Sequence, residues 1–394
     1  MPAPIYFDHS ATTPIDPRVA DAMRPAMEEL YGNPSSLHEV GRKAHEVIEQ
    51  ARQQVANLLS AAPDEIFFTA SGTEADNMAL VGVAEQFAPE DCHLITSSIE
   101  HPAILETCKH LERRGYEVSY LPVTPDGLVQ PASLEAALRP NTRLVSVMAA
   151  NNVVGTLQPI DELARISRAH NALFHTDAVQ AAGKIPLPMD RLQVDMLSLS
   201  AHKLHGPKGI GALYVRSGVS LEPLVHGGGQ ERGLRSATEN TIGILGLGKA
   251  AEIAAEEMVA ETRHLVSLRD KIINAVLKTI PNAYLIGHPV KRLPGHICLG
   301  FAGQEGESIK LLLALDEEGI AISSGSACSA HHGSQPSYIL MAMGMDAIRG
   351  RGSLRITLGR FNTEAEVDRF LEILPRAVES MRPVTSRAFA SLKF

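Results

Sequence analysis

The sequence predicts an α/β protein in which a large domain, built on a mainly parallel seven-stranded sheet, is joined to a smaller α+β domain. Three observations lead there. Between about residues 60 and 215 short apolar runs alternate with helical patterns, 394 residues exceed what one ordinary core holds, and turn-rich sequence after Pro281 precedes a second series of strands and helices. The runs are Glu65–Thr69, His93–Thr96, Val118–Leu121, Leu144–Met148, Ala172–His175, Met196–Leu199 and Gly211–Val215. From Asn240 to about Thr279 the pattern reads as one or two long helices. The domain boundary is expected near residue 260, giving a large domain over 15–260 and a small one from 1–14 with 261–394. The arm Ile5–Thr13 reads as strand and turn and fits over either domain. Gly246-Leu-Gly248-Lys-Ala-Ala251 mimics a dinucleotide fingerprint, but no convincing strand precedes it, and its small residues suit close helix packing better.

Composition narrows the function. A net charge of −9 with no basic stripe gives no field that gathers a polyanion, so nucleic acid is not expected as a direct partner. No run of about 18 apolar residues and no charged-then-apolar N-terminus is present, so no membrane span is expected and the cytoplasm is the expected location. The four cysteines lie far apart with no C-x-x-C pair, which argues against a disulfide framework or a zinc knuckle. Cys92, Cys108 and Cys298 sit in apolar-periodic surroundings and read as small core residues. Cys328 differs. It lies in the Ser- and Gly-rich stretch Ile322–Ser334, which is expected to be mobile and to display one thiol, as suits a group that attacks and then delivers. His331 and His332 adjoin it, but neighbours in such a loop do not define a metal shell, and no metal is expected.

A parallel sheet presents ligands beyond the carboxyl ends of its strands, where the sequence places Thr73, His101, Asn152, Asp177 and Lys203. Lys203 follows a buried run directly and enters a Gly/Pro loop, so desolvation can deprotonate it for imine formation; a plain loop lysine is the competing reading, and Lys208 is read that way. Ser200 and His202 stand beside it, able to bond an anionic phosphate. Ser71-Gly72-Thr73 opens a helix whose free N–H groups can hold the same anion, or serves only as a cap. Asp177 can keep a pyridine nitrogen protonated, or cap a helix. His101 can stack on a ring and shuttle protons, or be an ordinary rim histidine. Arg355 interrupts an alternating strand with a positive fork that fits an amino-acid carboxylate, a structural ion pair being the alternative.

Taken in order, Tyr6–Pro14, Gly32-Asn-Pro34, Ser71–Asn77, Glu100-His101, Asn151-Asn152, His175–Gln180, Ser200–Lys203, His226–Arg235 and Ser323–Cys328 make the chain resemble the cysteine desulfurases of the NifS/IscS type. These are pyridoxal 5'-phosphate (PLP) enzymes of fold type I, the aspartate aminotransferase fold, within the class V aminotransferases. The resemblance implies that Lys203 carries PLP in imine linkage, Asp177 pairs with its pyridine nitrogen, Gln180 bonds its ring oxygen and His101 stacks on the ring. It implies a phosphate held by Gly72, Thr73, Ser200 and His202, with Thr238 reaching the phosphate of the partner subunit in a homodimer. Asn152, Arg355 and Asn33 match substrate contacts. L-cysteine would lose its α-proton, Cys328 would take the sulfur as a persulfide, and L-alanine would leave, with His101 and Lys203 carrying protons. The sulfur acceptor, an iron–sulfur scaffold or another thio-cofactor route, stays open, since the sequence after Arg387 is shorter than the extension by which housekeeping members engage a scaffold. A selenocysteine lyase, an aminotransferase and a catalytically silent interaction protein remain as alternatives.

Overall fold

The computed structural model describes residues 4–304, 308–325 and 336–381. The chain opens with β1 (Ile5–Tyr6), α1 (Pro17–Glu29) and α2 (Glu39–Leu59), followed by β2 (Ile66–Thr69), α3 (Gly72–Ala84), β3 (His93–Ser97), α4 (Pro102–Arg113) and β4 (Glu117–Leu121). It continues through α5 (Pro131–Ala137), β5 (Thr142–Ser146), α6 (Ile160–Ala169), β6 (Leu173–Asp177), β7 (Met196–Ser200) and β8 (Gly211–Val215). Strands β2 to β8 form a seven-stranded sheet in the order β2-β8-β7-β6-β5-β3-β4. It is parallel except for β8, which runs antiparallel to both β2 and β7.

Neighbouring residues on these strands enter opposite cores, as a strand's period of two requires. Ile95, Val145, Leu197 and Ala212 pack against α1, α2 and α6. Leu94, Leu144, Met196 and Leu213 pack against α3 and α4. With both faces covered, the strands read as continuous apolar runs, which is why they could be located from sequence. One boundary differs: the run expected at Leu144–Met148 is strand only to Ser146. Beyond it the Val147 and Ala149 N–H groups still donate to the His175 and Asp177 carbonyls, while the Met148 N–H is captured by the buried carboxylate of Glu100, at 3.0 and 3.1 Å to its two oxygens.

The stretch from Asn240 is one helix, α7 (Thr241–Thr279), of 39 residues. The Asn240 side chain caps it by accepting from the Gly243 N–H at 3.0 Å. Its small residues do pack closely: a Cβ at Gly248 would lie 2.6 Å from the Ala51 Cα, and one at Gly246 2.7 Å from the Met23 sulfur. The later elements are β9 (Ala283–Leu285), β10 (His296–Phe301), α8 (Ser308–Glu317), β11 (Ile320–Ala321), β12 (Ser323–Ser324), α9 (Tyr338–Ala342), β13 (Ser353–Thr357) and α10 (Glu364–Ser380). A four-stranded sheet, β12-β13-β10-β9, carries a separate apolar core with α10 and the second half of α7. Ala254 belongs to the first core and Leu265 to this one. We propose that the two cores mark the domains 15–260 and 1–14 with 261–394.

The N-terminal arm bridges them. β1 pairs in parallel with β11, Asp8 bridges to Thr357, and Phe7 is buried in the second core. A few residues on, the Thr13 N–H and hydroxyl both donate to the His202 carbonyl, at 3.0 and 2.9 Å. The arm therefore crosses from the smaller sheet to the end of β7.

Candidate active site

Beyond the carboxyl ends of β6 and β7 lies a cavity of about 480 Å³. Its walls include Gly72, Thr73, His101, Asn152, Asp177, Gln180, Ser200, His202, Lys203 and Arg355, so the structure gathers residues spread over 280 positions of sequence. Most are delivered by a strand end or a helix start, whereas Asn152 and Gln180 come from turns and Arg355 from the middle of β13. The Ser71 hydroxyl caps α3 by accepting from the Glu74 N–H at 3.1 Å, leaving Gly72 and Thr73 in the first turn, where N–H groups lack helical partners. Gly72 must be glycine: a Cβ there would lie 2.6 Å from a Val179 methyl. Asp177 ends β6, and its Oδ1 accepts from the Val179 N–H at 2.8 Å in a turn rather than capping a helix. His101 caps α4, its Nδ1 accepting from the Ala103 N–H at 3.1 Å, which leaves the proton of the neutral ring on Nε2.

Lys203 follows β7 in a short turn, and its ammonium donates to the carbonyls of Ser10 and Ala11 on the N-terminal arm. Burial, followed by the nearby charges of Lys184 and Arg355, pulls its pKa down to about 7, with Asp177 and Asp8 opposing. Only the neutral amine condenses with an aldehyde. Loading of cofactor-stripped protein is therefore expected to accelerate with pH up to about 7 and then level off. Rapid mixing followed by visible absorbance measures this; a rate that keeps climbing toward the ordinary lysine value of 10.5 would contradict it.

Behind Asp177 stand two more buried acids. Asp76 is 1% exposed and Glu100 is 0% exposed. Desolvation raises both, with the Asp177 charge adding to it, and Glu100 reaches about 8. Asp177 is itself raised by burial, against which His101, the Val179 N–H and Lys203 act. Burial also holds His175 neutral, down to about 3, between the hydroxyls of Ser146 and Ser198, each at 2.9 Å.

Two expected site residues lie elsewhere. Thr238 lines a separate groove with Phe68, Thr69 and Arg235; Gly209 lies on the walls of both this groove and the main cavity. Asn33 is exposed, its side-chain oxygen accepting from the Ser35 N–H at 2.9 Å. Cys328 lies outside the described residues, as do His331 and His332. Cys92, Cys108 and Cys298 are buried, as expected. Among the described residues no cluster of metal-ligating side chains forms, and no helix is long and apolar enough to cross a membrane.

Sequence reasoning missed Ser10, Ala11 and Thr12, which line the cavity, and Lys208, read as a plain loop lysine, which also lies on its wall. Thr12 engages an expected phosphate ligand: its hydroxyl lies 3.1 Å from His202 Nδ1. The signal was the hydroxyl-rich run Ser10–Thr13, whose placement depends on pairing with residues far along the chain.

The donor set fits a phosphorylated pyridine aldehyde. The first turn of α3 and Ser200 suit an anion, the enclosed carboxylate suits a pyridinium, Lys203 suits the aldehyde, and the glycine at 72 leaves open the space a Cβ would fill. Comparison with known proteins agrees. The chain is 47% identical over 385 residues to a cysteine desulfurase IscS of Dictyoglomus turgidum, covering 98% of this chain and 97% of that one. It is 48% identical over 391 residues to a cysteine desulfurase IscS of Methanosarcina thermophila, covering 98% and 96%. The solved structure of a NifS-like protein superposes with a TM-score of 0.89 at 42% identity, covering 96% of this chain and all of that one. Because the class V aminotransferase model matches residues 5–370, nearly everything that builds the two sheets and the cavity between them, the chain belongs to the class V aminotransferase family.

Proposed function

We propose that the chain is a PLP-dependent cysteine desulfurase, removing sulfur from L-cysteine, releasing L-alanine and carrying the sulfur on Cys328. The observation that supports this best is the meeting of Lys203, Asp177, His101 and Arg355 on one cavity in a chain that matches cysteine desulfurases over its length.

Bound PLP supplies an electron sink that stabilises negative charge at the substrate's α-carbon. The protein's part is to hold and to move protons. Lys203 would be the attachment point, and its amine, with a pKa drawn down to about 7, would be the base placed to take the α-proton. Asp177 would keep the ring nitrogen protonated, Gln180 would bond the ring oxygen, and His101, with its proton on Nε2, would serve at the ring and as a proton carrier. Gly72, Thr73, Ser200 and His202 hold the phosphate. Thr238, in its own groove, serves the phosphate of the partner subunit, which makes the working form a homodimer.

Arg355 and Asn152 receive the substrate carboxylate, with Asn33 assigned to substrate through its motif. Cys328 as thiolate then attacks the substrate sulfur. A sulfur–sulfur bond forms, the carbon–sulfur bond breaks, and its electron pair stays on carbon, which a proton quenches on the way to L-alanine. The persulfide passes to a thiol acceptor, for which an iron–sulfur scaffold protein is proposed, in the cytoplasm.

Anaerobic incubation with L-cysteine and a thiol reductant is expected to give alanine and sulfide in equal amounts. Consumption of an added 2-oxo acid without sulfide would make it an aminotransferase, and turnover of selenocysteine alone would make it a lyase of that substrate.

A further inference from the structure

Arg355 is 3% exposed, and an arginine so enclosed needs a counter-charge. Asp8 supplies it: Arg355 Nη2 donates to Asp8 Oδ1 at 2.9 Å, and no other carboxylate among the described residues lies within ion-pair distance. Nη1 donates to the Asn152 carbonyl at 3.2 Å, while Nε has no hydrogen-bond partner among the described residues. Arg355 lies on the cavity wall and Asp8 does not, so the carboxylate offsets the guanidinium's charge without itself lining the cavity. Asp8 is itself fixed, since its backbone bridges to Thr357 and its carbonyl accepts from the Tyr6 hydroxyl at 3.0 Å.

L-cysteine and L-alanine carry the same carboxylate. A contact to that group binds substrate and product alike, so strengthening it lowers KM without raising kcat and slows product departure. A full positive charge in a desolvated wall would be such a contact; a charge already offset by a neighbour is a weaker one.

We propose that Asp8 is an affinity-setting residue that offsets the charge of Arg355, keeping the carboxylate subsite weak enough for L-alanine to leave. The proposal rests on Arg355 being the substrate-carboxylate contact, as assigned above. Asp8→Asn removes the charge and keeps an acceptor for Nη2, so it separates charge from positioning. By calorimetric titration of the holoenzyme, Asp8→Asn is expected to bind L-alanine about tenfold more tightly. L-Alaninamide, which lacks the carboxylate, should gain nothing, and KM for L-cysteine should fall without a rise in kcat. Asp8→Ser, smaller and also neutral, should move L-alanine affinity the same way if the asparagine variant fails to fold. Unchanged or weaker L-alanine binding in these neutral variants overturns the proposal, as does an equal gain for the amide. Arg355→Lys tells the two readings apart. If it leaves L-alanine affinity intact, the assignment of Arg355 fails; if it weakens binding while Asp8→Asn changes nothing, only the role of Asp8 fails.

Discussion

Lys203→Ala is expected to give a folded protein with no covalently held cofactor, no visible absorbance that survives desalting, and turnover reduced by at least about 10³-fold. Two losses combine. The amine that links the cofactor is gone, and so is the base beside the α-carbon, because one atom, Nζ, serves both purposes. The fold should survive, since what Lys203 contributes to it is a pair of hydrogen bonds to the carbonyls of Ser10 and Ala11. Circular dichroism would show the fold and absorbance after gel filtration the linkage. A variant that retains a covalent cofactor would place the attachment on another lysine, and Lys208, on the same wall, would be the one to test next.

Asp177→Asn is the second large effect. The substitution keeps size and the acceptor for the Val179 N–H but removes the negative charge facing the ring nitrogen. Unit charges about 4 Å apart are worth about 4 kcal/mol at an effective dielectric of about 20. Turnover is therefore expected to fall on the order of 10³-fold, with cofactor still attached to Lys203. Asp76 should not replace the missing charge. It is fully enclosed, desolvation raises its pKa well above the usual range, and the nearby His175 is held neutral by burial. Steady-state rates with the cofactor content of each preparation check this, and wild-type activity in Asp177→Asn would remove Asp177 from its assigned place.

Much of this architecture was legible because of how it is buried. A parallel sheet covered on both faces needs largely apolar strands, and these stood out from the helical patterns at residues 93–96, 144–148 and 196–199, within a few residues of β3, β5 and β7. The cavity residues were legible where chemistry sits at the end of such a run, as with Asp177 after β6 and Lys203 after β7. The rest depends on contacts that local pattern does not carry. The N-terminal arm finds its place by pairing Ile5 with Ile320 and by the Ser10 N–H donating to the Thr357 hydroxyl, over more than three hundred positions of sequence. For that reason Asp8 and Ser10–Thr12 escaped notice. Asp76 escaped for another reason: an acid on a largely apolar helix reads as the solvent side, as Glu74 does, whereas Asp76 is buried and lies on the cavity wall. Arg355 had been open between carboxylate contact and structural ion pair. The ion pair with Asp8 is present, and the guanidinium still faces the cavity.

The central claim is that sulfur leaves L-cysteine by transfer to Cys328. Its most direct test is one anaerobic turnover by the holoenzyme and by Cys328→Ala, each then scored by mass spectrometry for protein-bound persulfide and for L-alanine. The account predicts alanine together with a persulfide on the peptide holding Cys328 in the wild type. In the variant it predicts unchanged cofactor absorbance and neither product. Alanine and free sulfide from Cys328→Ala at the wild-type rate would contradict it, because the sulfur would then be leaving without the thiol assigned to receive it.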